Sequence, residues 1–178
     1  RGDPRAAEKR VAAMTHDGAC AGGGALTDPV RVERMEVRRG HLVCRVAFGT
    51  APRVTSPQLM SRVLAVVPTL AQHACVNERG TVFAAVMDCT PLPHLLEHLV
   101  VDLQVRAESG QWNTLPGAAE EAPPSMADAT CERPIVGTSE WLDEAAGIAR
   151  IDVSFADDLV ALRAMRDSVA FLNELLRG

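Results

Sequence analysis

The chain has 178 residues, 47% of them apolar, and a formal net charge of −5. A chain of that size builds one ordinary core without staples. The acidic balance removes the electrostatic footprint expected of a nucleic-acid or membrane-surface protein. No run approaches the roughly 20 apolar residues of a membrane-spanning helix, and no charged-then-apolar leader opens the sequence. The five cysteines (Cys20, Cys44, Cys75, Cys89, Cys131) are odd in number and lack C-x-x-C spacing. Reduced thiols and a cytoplasmic setting are therefore expected, with neither a disulfide framework nor a cysteine-only zinc site.

Residues 1–28, with Gly22-Gly23-Gly24 and no apolar period, read as a flexible tail or linker, and 29–178 as one α/β domain. Residues 30–48 alternate in period two around Arg38-Arg39-Gly40 and predict a hairpin. Ser56-Pro57 predicts a helix start, followed by Leu59, Val63, Val66 and Val67 at helical spacing until Pro68. A second turn or short helix carries Leu70, His73 and Cys75; residues 81–87 fit a short strand or an apolar connection.

Thr90-Pro91 opens the next helix in the same way as Ser56-Pro57, and the helix runs to about Ala107. At 100° per residue, Leu95, Leu96, Leu99, Val100 and Leu103 share one face, while His94, Glu97, His98 and Asp102 lie on the other. Residues 108–134, with Gly110, Pro116-Gly117 and Pro123-Pro124, read as a long loop, either disordered or functional; in a hydrolase it would cover the substrate. Residues 135–141 and 148–155 predict a second hairpin, and Asp157 caps a final helix through Leu176. Two hairpins and about three helices imply an α+β fold: a two-layer antiparallel sheet of about four strands packed on about three helices.

The chemistry concentrates in His94-Leu95-Leu96-Glu97-His98. Two histidines four apart on a helix project to one side, one turn apart, and reach a single ion. H-x-x-E-H inverts the helix motif of zinc peptidases. Neutral imidazoles hold the metal, and an unligated carboxylate beside it takes a proton from water. Zinc is thus the expected cofactor, with His94 and His98 as ligands and Glu97 as the catalytic base. The third ligand comes from elsewhere. Asp102 stands eight residues, about 12 Å along the axis, from His94, so it either orients His98 from behind or is merely exposed. Downstream, Glu140 ranks first as third ligand and Cys131 second. His73 reads as a capping or surface residue.

Four stretches resemble the N-terminal domain of cyanophycin synthetases. They are Val37-Arg38-Arg39-Gly40-His41-Leu42-Val43, then Val67 through Cys75 with its Pro, Leu, His and Cys, then Thr90 through Gln104, and Glu140 through Gly147. Pro93 and Asp102 stand where the family usually has glycine and glutamate. The resemblance covers about residues 35–170. It implies a small α/β domain connected with an aspartate–arginine polymer. It also implies, in some members, a zinc hydrolase that trims the polymer, with His94 and His98 as ligands and Glu97 as base; Glu140 falls at a matching acid. The family's ATP-dependent ligase domains have no counterpart in this stretch, so polymer synthesis is not expected of it. The inverted motif also resembles those of pitrilysin-type peptidases and S-ribosylhomocysteine lyase. The expected function is hydrolysis of amide bonds in a peptide or an aspartate–arginine polymer. The competing expectation is a non-catalytic module that binds polymer or helps assembly. Expected partners are that peptide or polymer, a second copy of the chain or a ligase, with no nucleic acid and no membrane.

Overall fold

The computed structural model describes residues 28–112, 114–119 and 134–178. The chain order is β1 (Arg31–Arg38), β2 (His41–Ala47), α1 (Pro57–Val66), a 3-10 turn at Pro68–Gln72, β3 (Ala74–Asn77), β4 (Gly80–Val82), α2 (Leu92–Glu108), β5 (Gly137–Asp143), β6 (Ile148–Ser154) and α3 (Asp158–Arg177). The main sheet is antiparallel with strand order β1-β2-β6-β5; β3 and β4 form a separate small hairpin. The expected α+β architecture holds, with this extra hairpin added. Residues 1–27 of the expected tail, and residues 113 and 120–133 of the expected 108–134 loop, lie outside the described residues.

The sheet reads directly from period two. Leu42, Cys44 and Val46 on β2 register against Val153, Ile151 and Ala149 on β6, and all six are buried. Their neighbours Val43, Arg45, Asp152 and Arg150 face outward. Helices α2 and α3 cover the inner face, burying Leu95, Leu99, Met165, Phe171 and Leu172. Gly40 and Gly147, at φ 75° and 71°, turn the two hairpins in the left-handed region that glycine adopts without cost. Helix α1 starts as expected: the Ser56 hydroxyl accepts from Leu59 N–H, and the helix ends just ahead of Pro68.

Thr90 does not cap α2. Pro91 occupies the N-cap position, and the Thr90 hydroxyl turns toward the His94 ring. The polar face of α2 is itself covered: Glu97, His98 and Asp102 are each only 3–6% exposed. Residues 68–83 and the start of β5 cover it, so α2 is buried on both sides and its polar groups must be satisfied by neighbours.

One buried clasp ties the first strand to the last helix. The Asn173 Oδ1 accepts from Val30 N–H and its Nδ2 donates to Val30 C=O, both at 2.8 Å. Asn173→Ala leaves both main-chain groups orphaned in a dry site. It is expected to cost about 2–4 kcal/mol in a denaturant melt, whereas Asn173→Asp, which keeps the acceptor alone, is expected to fall between alanine and wild type.

Candidate metal centre

The segment before α2 supplies what the helix lacks. After the 3-10 turn, His73 is extended, and its carbonyl accepts from Phe83 N–H at 2.9 Å. Two residues on, Cys75 enters β3. The Asn77 side chain closes the hairpin turn: Oδ1 accepts from Arg79 and Gly80 N–H at 2.8 and 3.1 Å, while Nδ2 donates to Cys75 C=O at 2.9 Å. That turn fixes the Cys75 thiol against α2.

Cys75 Sγ lies 3.4 Å from His94 Nε2, and His94 Nε2 lies 3.1 Å from His98 Nε2. The three donor atoms fall within 4.8 Å of one another. Phe83 packs edge-on to the His94 ring and 4.2 Å, centroid to centroid, from the His98 ring, holding both imidazoles.

The hydrogen-bond network behind the cluster assigns the tautomers. Asp102 Oδ1 accepts from the Thr69 hydroxyl at 2.7 Å and from His73 Nε2 at 3.1 Å. Arg106 Nε lies 2.6 Å from Oδ2, a charge contact without the alignment of a hydrogen bond. Burial pushes the Asp102 carboxyl up, but the bonds from His73 and Thr69 and the Arg106 charge outweigh it, and the net shift is downward. A carboxylate only accepts, so in neutral His73 the proton sits on Nε2 and Nδ1 is an acceptor. His98 Nδ1, 3.3 Å away, then donates to it. This leaves a lone pair on His98 Nε2, directed at His94 Nε2. His94 Nδ1 lies 2.7 Å from the Thr90 hydroxyl, which can donate or accept. With the proton on His94 Nδ1, both Nε2 lone pairs and the Cys75 sulfur converge on one point. Two nitrogens and one sulfur in that arrangement form a donor set that could hold a metal ion.

Electrostatics keep the imidazoles available. Burial, together with His94 and His73 nearby, pushes His98 down to about 3. Burial also lowers His94. Glu97 goes the other way: burial raises its carboxyl to about 7. The 3.9 Å approach of Glu97 Oε2 to His94 Nε2 is therefore no ion pair at neutral pH in the absence of a cation. Glu97 has no hydrogen-bond partner among the described residues, and it lines both halves of the adjoining cleft. Gly137 opposes it closely: a Cβ there would stand 2.5 Å from Glu97 Oε1 and 2.6 Å from Cγ. Only a glycine lets β5 run this near the carboxylate.

Of the residues expected from sequence, His94, Glu97 and His98 come together, and Asp102 stands behind them, acting on His98 through His73. Glu140 is not brought into the group. Strand alternation places it beside Arg150 on the outer face of the sheet, 3.7 Å from that guanidinium, with its side chain 61% exposed. Cys75, which was not expected from the sequence, stands with His94 and His98 instead. Cys131 lies outside the described residues. His73, expected as a capping or surface residue, has a side chain 16% exposed and is central to the network.

Residues 43–121 match a family described as the cyanophycin synthase-like N-terminal domain. The match covers less than half of the chain, and that stretch is similar to the family's domain. It contains His73, Cys75, His94, Glu97, His98 and Asp102, and it ends before β5. No curated protein and no solved structure gives a significant match.

Glu97 gives a measurable signature in metal-free protein. Its folded-state value of about 7 stands above the unfolded 4.5. Its share of stability is therefore full below pH 4.5 and is lost as pH rises to about 7. Glu97→Gln removes that slope. The stability difference, wild type minus variant, should fall by up to about 3 kcal/mol between those limits, read from denaturant midpoints across pH. A difference independent of pH would place Glu97 in water.

Proposed function

We propose that the domain is a zinc-dependent hydrolase of amide bonds in a peptide or an aspartate–arginine polymer. The observation that carries this is the convergence of Cys75, His94 and His98 beside a buried carboxylate with no other partner, at the junction of two halves of an open cleft. His94, His98 and Cys75 would hold the ion, with Cys75 supplying the third ligand in place of Glu140.

A bound ion would supply Lewis acidity, making a nearby water easier to deprotonate and the carbonyl to be cut more electrophilic. Glu97 takes a proton from that water onto its carboxylate. The water oxygen bonds to the carbonyl carbon, the carbon–nitrogen bond breaks, and Glu97 returns the proton to the departing nitrogen. A carboxyl lifted toward neutrality by burial suits both halves of that exchange. His73 and Asp102 hold His98 in the tautomer that presents its Nε2 lone pair, as carboxylate partners do for metal-binding histidines elsewhere. The Thr90 hydroxyl accepts from His94 Nδ1 in the tautomer that presents the His94 Nε2 lone pair.

A second reading has its own support. Residues 43–121 are similar to a cyanophycin synthase-like N-terminal domain. On that reading the cluster is a structural zinc site, and the domain binds polymer or a ligase without cutting anything. The two readings separate on Glu97, which a structural site does not use.

Protein purified without chelator is expected to carry about one zinc per chain, lost in His98→Ala and reduced in Cys75→Ser. Glu97→Gln should keep the metal and lose amide hydrolysis by roughly 10²–10⁴-fold. Hydrolysis by Glu97→Gln at the wild-type rate would reject the mechanism. Full metal content with no cleavage by wild type of casein peptides or aspartate–arginine polymer would leave the binding module.

A further inference from the structure

We propose that the free edge of β5 takes up an extended polypeptide as an added strand and lays it across the metal cluster. The inference deepens the hydrolase reading and rests on it only for which bond is cut.

β5 is the last strand of the sheet, and among the described residues no strand pairs with its other edge. Its hydrogen-bonding parity is fixed at its start. Ser154 N–H donates to Val136 C=O at 2.8 Å, so the main chain of residue 136 faces β6. In an antiparallel pair, that orientation alternates. The Thr138↔Asp152 and Glu140↔Arg150 pairs therefore bond inward to β6. The N–H and C=O groups of Gly137, Ser139 and Trp141 point outward along the open edge.

That edge faces the chemistry. Gly137, Thr138, Ser139, Glu140 and Trp141 form one wall of a cleft of about 330 Å³, and Pro91, Pro93, His94 and Glu97 form the opposite wall. Gly137 stands against Glu97, so a chain paired along β5 has its carbonyls carried past that carboxylate. Beyond Gly137 the cleft widens into a second half of about 590 Å³. Val76, Val101, Val105, Ile135 and Val136 line it around the metal donors, and it fits an apolar side chain of the bound strand. Exposed edges of this kind are usually blunted by charge, proline or a bulge. Here the stretch from 137 to 139 is glycine, threonine and serine, and among the described residues the β5–β6 pairing slips only after Trp141. Strand addition draws its affinity from main-chain hydrogen bonds and its selectivity from pockets for alternate side chains, and both are present here.

The test uses oxidised insulin B chain, an unstructured peptide with apolar residues, and full-length Glu97→Gln protein loaded with zinc so that nothing is cut. Amide hydrogen exchange is followed residue by residue with and without peptide. The amides of Ser139 and Trp141 should exchange fast alone and slow at least tenfold with peptide, while those of Thr138 and Glu140 stay protected throughout. Ser139→Pro removes one outward donor and leaves the β6 ladder intact, so it should keep its zinc and bind peptide about tenfold more weakly. Zinc-loaded protein in which peptide leaves both outward amides unprotected, or Ser139→Pro that binds like wild type, would overturn the inference without touching the metal centre. Protection of the edge in protein that holds no zinc would uphold the inference and remove only the hydrolase reading.

Discussion

His98 sits at the middle of a line of contacts that runs from Arg106 and Asp102 through His73 to His98, and on to His94 and Cys75. Each group in that line is buried or nearly so, and a buried polar atom without a partner costs as much as a lost hydrogen bond. Asp102 fixes the sense of the line, because a carboxylate cannot donate. The donor–acceptor order then propagates inward to the His98 Nε2 lone pair. At that end no further donor from the protein is required if a cation is there. Without one, His94 must shift its proton to Nε2 and lean on the Thr90 hydroxyl. The cluster thus has one protonation pattern that closes on itself and another that is complete only around an ion.

The rest of the fold serves to hold this line. The four-stranded sheet and α3 bury the apolar face of α2 and fix its axis. The 3-10 turn and the β3–β4 hairpin bring His73, Cys75 and Phe83 onto its polar face, and β5 closes the far side at Gly137. The same burial that aligns the ligands sets their proton affinities. Imidazoles lose basicity, a carboxyl gains it, and both changes favour a site where neutral nitrogens bind and a carboxylate exchanges protons near neutral pH.

Much of this was legible in the residues. Period two in 41–48 and 148–155 placed the central strands, and Ser56-Pro57 and Asp157 marked helix starts that the structure keeps. The spacing of His94, Glu97 and His98 put three side chains of the site on one helix face without any tertiary information. Thr90 misled because Ser/Thr-Pro reads as a cap wherever it occurs, while here the hydroxyl has a better partner in His94. His73 and Cys75 carry no helical period and meet α2 only through a turn and a short hairpin. Their one local signal is the H-x-C spacing in an extended segment, which puts both side chains on the same face. Glu140 was open to the same parity test. Trp141 faces inward against Phe48, so its neighbour in the strand must face out. What no pattern in the sequence discloses is that the polar stripe of α2 is covered, since that depends on non-local packing.

The central claim is that Cys75, His94 and His98 share one ion, and cobalt substitution reads it most directly. Co²⁺ titrated into apo protein should reach one equivalent, with intense visible bands of tetrahedral coordination and a near-ultraviolet thiolate-to-metal band. That last band should vanish in Cys75→Ser while visible absorption persists, and Glu140→Gln should leave the whole spectrum unchanged. A weak six-coordinate spectrum, or one that answers to Glu140→Gln and not to Cys75→Ser, would contradict the site described here.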